Sequence, residues 1–558
     1  MIFLKSTRFI NYIARCEVLG KFNKDSGTVE PLSEPIETGS KVYFIDKYRL
    51  EKLFFLNTPF NLFPGYIEQV KGARFSLNGD DLLTMHCGIF GMTGMGKTTT
   101  TGTLLEELTI RGAKSLVFDP HGDYRNLGEL REEFYSALKE ELSNRDSSLY
   151  RLVVEFKKFL IEKWKEKVEY MKSKNFLFSS LVREEMKREV AEPNIILRMA
   201  LLFSLLKGEV VESSSPQAFR AQILSFCKEF TFEKLSRLVP EDILSSLMKV
   251  VIEGFPLIGL NGFFDKYFVL NMIKAFSGEE VSEAQEGYYL KWLEEIENES
   301  FSGNIIDYLL KKVKELNSRT SSKSKPAIKR QLEKTKRTIE ELSSKNLIPI
   351  DSQFLVKEFS SKNGSLSFVS NIVFDLSQVS PSTVQRALLY SIGYSAFHLH
   401  KSRKLSYHNG DSSILFIIEE ARNLIPRSGS EDFEHPASKF ARNIIRSIAT
   451  EGRKMALGLV IISQKPSSVD PLPVSQCNTL ILHRVINPED LSFVRTVGES
   501  ISEEDISNLK QVERGVSIVT GTALKLRKSL LVKFRNRLSK EGREQPKPLT
   551  RIWGRNKR

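Results

Sequence analysis

Residues 91–98 read Gly91-Met92-Thr93-Gly94-Met95-Gly96-Lys97-Thr98. They fit G-x-x-x-x-G-K-[ST], a loop whose glycines let successive backbone N–H groups turn inward around phosphate. The flanking sequence decides the fold. The apolar run LLTMHCGIF leads into the loop, TTTGTLLEELTIRG follows with Gly112 placed to stop a helix, and SLVFD is a further buried strand. Strand, glycine loop, helix and strand form a βαβ unit, so the fold class is α/β with a parallel sheet. In this context the stretch from Gly91 through Gly94, Gly96 and on to Thr99, with Met92, Thr93 and Met95 between, is the expected nucleotide cradle. Lys97 is placed to reach the β- and γ-phosphates, and Thr98 to offer its hydroxyl to Mg²⁺. The bland alternative is a structural glycine turn.

Strand signals recur at SNIVFDLS, SSILFIIEE, GLVIISQ and NTLILHRV, with helices between them. The first three are short β-branched runs, the pattern of strands covered on both faces. Ligands of open α/β sheets sit at the carboxyl ends of the strands, so the residues there are the ones to weigh. Glu419 and Glu420 end one strand. Glu420 is the expected general base for an attacking water and Glu419 stands where a metal-supporting acid is wanted; the alternative is a carboxylate pair at a helix N-terminus. Asp119 ends SLVFD and is a second candidate for metal support, or a turn-forming Asp before Pro120. His121 is expected to orient a neighbour. Gln464 ends GLVIISQ and is placed to sense the γ-phosphate, or simply to cap a strand end. Arg453, in EGRK, is the expected transition-state arginine for a neighbouring subunit, with Arg446 and Arg484 as competitors and surface charge as the alternative for each.

The chain has 558 residues, too many for one compact core, so two to four domains are expected. Its 41% apolar and 27% charged content excludes collagen-like, mucin-like and wholly disordered classes. No window approaches the ~18 uninterrupted apolar residues of a membrane helix, and Lys5 and Arg8 interrupt the start, so a cytoplasmic, non-membrane product is expected. Lys plus Arg number 82 against 69 acids, a +13 excess that attracts phosphate polyanions but is small for the length. Cys16, Cys87, Cys227 and Cys477 form no Cys-x-x-Cys pair, as suits a reducing compartment.

Residues 1–75 read as short strands (YIARCEVLGKF, SKVYFID, LEKLFFLN) between turns, the pattern of a small barrel or sandwich. Residues 127–363 are rich in Lys, Glu and Leu at helical spacing and too long for a loop, hence a helical insertion between two strands. Within it, KSKPAIKRQLEKTKR is either a solvated helix face or a DNA-facing patch. GVSIVTG and KSLLVKF read as a hairpin around Gly521–Thr522, and the tail from Lys540 is basic. The chain shows no nuclease constellation.

MHCGIFGMTGMGKT, FDPHGDY, VFDLS, IIEEARNLIP, the EGRK segment, ISQKPSSVDP and LPVSQCNTLILHRVINPEDL occur in the order found in HerA-type ATPases, and the chain resembles that family of the HerA/FtsK superfamily of DNA translocases. Where relatives commonly carry EEAH, this chain has EEAR, with Arg422. The resemblance implies a RecA-like P-loop ATPase core over 76–126 and 364–535, an N-terminal (HAS-barrel-like) β-barrel over 1–75, an inserted α-helical bundle over 127–363 and a C-terminal tail or brace over 536–558. It implies roles for Lys97 and Thr98 on phosphate and Mg²⁺, Asp119 in metal support, Glu420 as catalytic carboxylate and Gln464 as sensor. It further implies an ATP-driven homo-hexamer around double-stranded DNA with a nuclease partner, NurA-like, Sir2-type or another effector, in DNA-end resection or antiviral defence. The alternative is an ATPase scaffold that organises a defence effector. The pore loop is expected within 427–442.

Overall fold

A computed structural model describes residues 60–173, 179–256, 265–298, 304–316, 324–403, 413–429, 435–498, 501–526 and 528–542. It also describes 21–22, 29–30, 35–37, 40, 43 and 45–55. Its centre is an 11-stranded sheet. In chain order the strands are β1 (Asn61–Ile67), β2 (Arg74–Asn78), β3 (Cys87–Phe90), β4 (Lys114–Asp119), β5 (Leu247–Ile252), β6 (Val369–Asp375), β7 (Ile414–Ile418), β8 (Leu457–Ser463), β9 (Thr479–Leu482), β10 (Val516–Gly521) and β11 (Leu530–Phe534). Across the sheet they run β2-β1-β11-β10-β9-β3-β8-β7-β4-β6-β5. From β9 to β5 the pairing is parallel; from β9 to β2 it is antiparallel.

The parallel strands are buried along their whole length because both faces are covered, which is why they read as unbroken apolar runs. Phe118, Phe374 and Phe416 stack on one face, each ring against the next strand's. That face shares a single buried cluster with helices α2 (Ser382–Arg403) and α3 (Pro436–Glu451) and with the helices between β4 and β6. Val117, Val373, Leu415, Ile417 and Ile462 point the other way, against Leu104, Leu105 and Leu108 of helix α1 (Lys97–Thr109).

Helix α1 is tied down by charge. Glu106 and Glu107, both fully buried, take Arg535 at 2.7 and 3.1 Å. Arg111 closes on Glu107 at 2.9 Å, and the Ser539 backbone N–H and hydroxyl donate to Glu106 at 2.8 and 2.7 Å. Arg537 lies against Gly102, where an added Cβ would meet its Cδ at 2.8 Å. Residues 535–542 thus pack along α1 and the turn after β4, while 543–558 lie outside the described residues.

Three expectations change. LEKLFF is not a strand: Lys47–Phe54 is a helix, capped by the Asp46 carboxylate on the Arg49 N–H, with Glu51 turned in to bond Arg74. Most of the expected 1–75 barrel lies outside the described residues, and β1 and β2 continue the main sheet. The helical block between β4 and β6 is interrupted by β5, whose LMKVVI forms the sheet's edge against β6. Three cations of the basic stretch in Ser324–Ser344 are paired with acids elsewhere in the block: Arg330 and Lys334 with Glu279, and Lys336 with Asp307.

Candidate active site

The parallel strands end in register, which gathers their tips into one row. Ser463 of β8 stands beside Phe90 of β3, Ile418 of β7 beside Phe118 of β4, and Asp375 of β6 beside Asp119. The row therefore carries His483, Gly91, Gln464, Glu419–Glu420 and Asp119, the carboxyl edge where an α/β sheet binds ligands.

Between β3 and α1 the chain folds into the cradle. Gly91, Gly94 and Gly96 all have positive φ (151°, 76° and 115°), open to glycine and strained for other residues. The turn is also crowded: a Cβ on Gly91 would stand 2.6 Å from the His483 Cβ. Neighbours fix the loop by its backbone, with the Met92 N–H donating to the Arg484 carbonyl at 2.9 Å and the Gly515 N–H to the Met95 carbonyl at 3.0 Å. Lys97 is buried and donates from Nζ to the Gly91 and Met92 carbonyls at 2.7 and 3.0 Å. Burial weakens its hold on its proton, and Glu419 and Glu420 oppose that. Thr98 and Thr99 lie half-buried in the first turn of α1.

Glu420, Gln464 and Thr93 form one hydrogen-bonded line. The Thr93 hydroxyl donates to the Gln464 Oε1, and the Gln464 Nε2 donates to the Glu420 Oε1. Glu420 is buried at φ 46°, a conformation disfavoured by ~1–2 kcal/mol for a residue with a Cβ. Such strain is held only where the surroundings over-determine it, often at functional sites. The second carboxylate oxygen, Oε2, makes no hydrogen bond among the described residues; Arg422 Nε stands 3.4 Å away.

The adjacent acids differ. Glu419 is buried and accepts from the Tyr124 hydroxyl at 3.1 Å. Burial pushes its carboxyl up to about 8, helped by the charges of Asp119, Asp123 and Glu420 and opposed by Lys97. Among the described residues no three His, Cys, Asp or Glu side chains converge as a metal-holding group; Glu419 and the Thr98 hydroxyl offer hard oxygens of the kind Mg²⁺ prefers. Asp119, which burial pushes up to about 6, shapes its own turn: its oxygens accept the N–H groups of His121, Gly122 and Tyr124 at 3.1, 2.8 and 2.9 Å.

The three arginines separate. Arg446 is committed within the chain to the buried Asp470 at 2.6 Å. Arg484 is exposed at the phosphate end of β9. Arg453 is exposed in the turn that precedes β8, whose seven residues span ~23 Å. It stands at the opposite sheet edge from the phosphate loop of its own chain. In the 427–442 window Arg427 is exposed and bonds the Ser467 carbonyl, whereas Arg442 is buried.

Sequence reading missed His483 and Tyr124. His483 is buried beneath the loop, its Nε2 3.1 Å from the Thr100 hydroxyl, and burial together with Lys97 holds it down at about 3, so the imidazole is neutral. A single His after a strand gives no signal of its own, and nothing near Tyr124 in the sequence points to Glu419.

Residues 63–202 match the family described as Helicase HerA, central domain. The Pyrococcus furiosus DNA double-strand break repair helicase HerA is 34% identical over 113 residues, 20% of this chain and 19% of that protein. The Methanocaldococcus jannaschii protein named "Probable helicase MJECL08" is 22% identical over 537 residues, 92% of this chain and 78% of that one. VirB4 of Thermoanaerobacter pseudethanolicus superposes with a TM-score of 0.44 at 12% identity, covering 86% of this chain and 97% of that chain. The chain is thus similar to HerA-type helicases, and it spans about a fifth of the length of the first of them. No helix among the described residues is long and apolar enough to cross a membrane.

Proposed function

We propose that this chain hydrolyses ATP to move double-stranded DNA, working as a homo-hexameric ring with a nuclease partner. The observation that carries the reading is the line Glu420–Gln464–Thr93, which joins a strained, buried carboxylate at one strand tip to a phosphate loop at another. The similarity to HerA helicases supports the DNA half.

In the reaction a water oxygen bonds to the γ-phosphorus. The bond from that phosphorus to the bridging oxygen breaks, ADP leaves with its electron pair, and the water proton passes to Glu420. Oε2, which accepts no hydrogen bond among the described residues, is the acceptor, since Oε1 is occupied by Gln464. Lys97 releases the loop carbonyls to meet the β- and γ-phosphates, and the loop N–H groups hold the rest. Thr98 and Glu419 are the residues that would hold Mg²⁺, which neutralises charge on the phosphate oxygens. Gln464, bonded to both Thr93 and Glu420, is placed to register loss of the γ-phosphate. Arg453 stands at the other sheet edge from its own loop, so its transition-state role would be one served to the next subunit in the ring. Movement along the duplex would use phosphate contacts, sequence-independent and weakened by salt.

The test is ATP hydrolysis with and without duplex DNA. Stimulation by DNA, abolished in Lys97→Ala and Glu420→Gln, is expected. Equal rates with and without DNA, and no displacement of a protein roadblock, would remove translocation.

A further inference from the structure

We propose that Arg422 is a catalytic cation of this chain's own ATP site, which exchanges Glu420 for the γ-phosphate and so readies the general base. The inference rests on the ATP-hydrolysing reading above and adds a residue to it.

Three observations meet at this side chain. Its Nε stands 3.4 Å from the Glu420 Oε2, the one oxygen of that buried carboxylate with no hydrogen bond among the described residues. The contact is an ion pair without hydrogen-bond geometry, so it restrains Glu420 without satisfying it. Second, Arg422 lies on the short helix Ala421–Leu424, opened by Glu420 itself in its left-handed conformation, and its side chain is 41% exposed. A guanidinium carries five N–H donors, and this one makes no hydrogen bond to Glu420, so it has donors to offer a further anion. Third, the carboxylate that Arg422 faces is joined through Gln464 to Thr93 of the phosphate loop. The guanidinium therefore stands beside the general base, at the end of the hydrogen-bonded line that leads to the loop.

This placement has a chemical consequence. A terminal phosphate held by Lys97 brings two to three negative oxygens into the field of Arg422, against the single carboxylate oxygen it now faces. A planar guanidinium binds phosphate through paired N–H donors, a better match than a one-atom contact at 3.4 Å. Transfer of Arg422 to the γ-phosphate places a cation on the oxygens where charge spreads in the transition state. The same transfer unburdens Oε2, the atom that takes the proton of the attacking water. Nucleotide binding thus switches the base on, and product release returns Arg422 to Glu420. Arg453, at the far sheet edge, is left for the neighbouring subunit, so each site draws one arginine from its own chain and one from the next.

The experiment compares full-length wild type, Arg422→Ala and Arg422→Lys in single-turnover ATP hydrolysis, with the affinity for a fluorescent non-hydrolysable ATP analogue measured in parallel. Loss of a transition-state arginine costs ~10³-fold or more where it has been removed elsewhere, so Arg422→Ala should slow hydrolysis at least a hundredfold. Its affinity for the analogue should stay within threefold, Arg422→Lys should be intermediate, and guanidinium at tens of millimolar should restore at least a tenfold gain to Arg422→Ala alone. Hydrolysis within twofold of wild type, an affinity loss as large as the rate loss, or no rescue in a variant with wild-type circular dichroism would overturn the proposal. Mixing Arg422→Ala with Lys97→Ala subunits adds a second arm: a return of activity would show the arginine serving a neighbour and reject the assignment to its own site. Absence of hydrolysis in the wild-type protein would instead fail the parent reading.

Discussion

Replacing Arg535 by Met puts the anchoring of the phosphate-loop helix to a direct test. The guanidinium is 1% exposed and holds two buried carboxylates, Glu106 at 2.7 Å and Glu107 at 3.1 Å. Removing one partner of a buried ion pair costs about 3–5 kcal/mol, because the other charge is left without water or a counter-ion. The structure places this case near the lower bound. Glu107 retains Arg111 at 2.9 Å and the Ser204 hydroxyl at 2.8 Å, and Glu106 retains the Ser539 and Leu538 donors. About 3 kcal/mol is therefore expected, and since 1.4 kcal/mol is tenfold, amides of Lys97–Thr109 should lose on the order of 100-fold in hydrogen-exchange protection. Adding Glu106→Gln removes the stranded charge and should return at least ~1 kcal/mol. Protection of that helix within threefold of wild type in Arg535→Met, or a double variant worse than the sum of its singles, would refute the reasoning.

Gly91→Ala places a Cβ 2.6 Å from His483 at φ 151°, so affinity for a fluorescent ATP analogue should fall at least tenfold; unchanged affinity would contradict the crowding argument. His483 takes a proton near 6.5 when unfolded and only at about 3 when folded, so its contribution is present above 6.5 and lost as pH falls through that window, on the order of 5 kcal/mol in all. Urea unfolding of His483→Gln against pH should show a flatter acid limb, and an unchanged limb would count against it. Because Arg330 and Lys334 are held by Glu279, replacing both with Gln should leave the salt slope of DNA binding as it is; a slope shallower by ~1 for each lost phosphate contact would make them DNA ligands.

The phosphate loop and the strands around it were readable because each depends on few neighbours in sequence. Three glycines and a Lys specify the turn, and strands covered on both faces need only apolar residues, so β3, β4, β6, β7 and β8 stand out. LEKLFF and LMKVVI were not separable, since a short apolar run suits a strand or a helix until its surroundings decide. Asp46 and Arg74 settle the first as a helix, and the open edge of β6 settles the second as a strand. The chemistry at the strand tips was legible as residue types, not as bonds. That Asp119 spends its oxygens on its own turn, that Arg446 is committed to Asp470, and that His483 underlies Gly91 all depend on contacts set by the finished fold.

The position of β3 bears on how the protein is made. Its neighbours in the sheet are β8 and β9, so the strand that launches the phosphate loop has no partner until the ribosome has passed Leu457, and the strap onto α1 arrives only with Arg535. In a nascent chain the sheet on either side of the phosphate loop therefore stays incomplete until β8 and β9 have been translated. A chain cut short within the helical block would hold β3 and its loop without β7, β8 and β9, the strands that bring Glu420, Gln464 and His483 beside it.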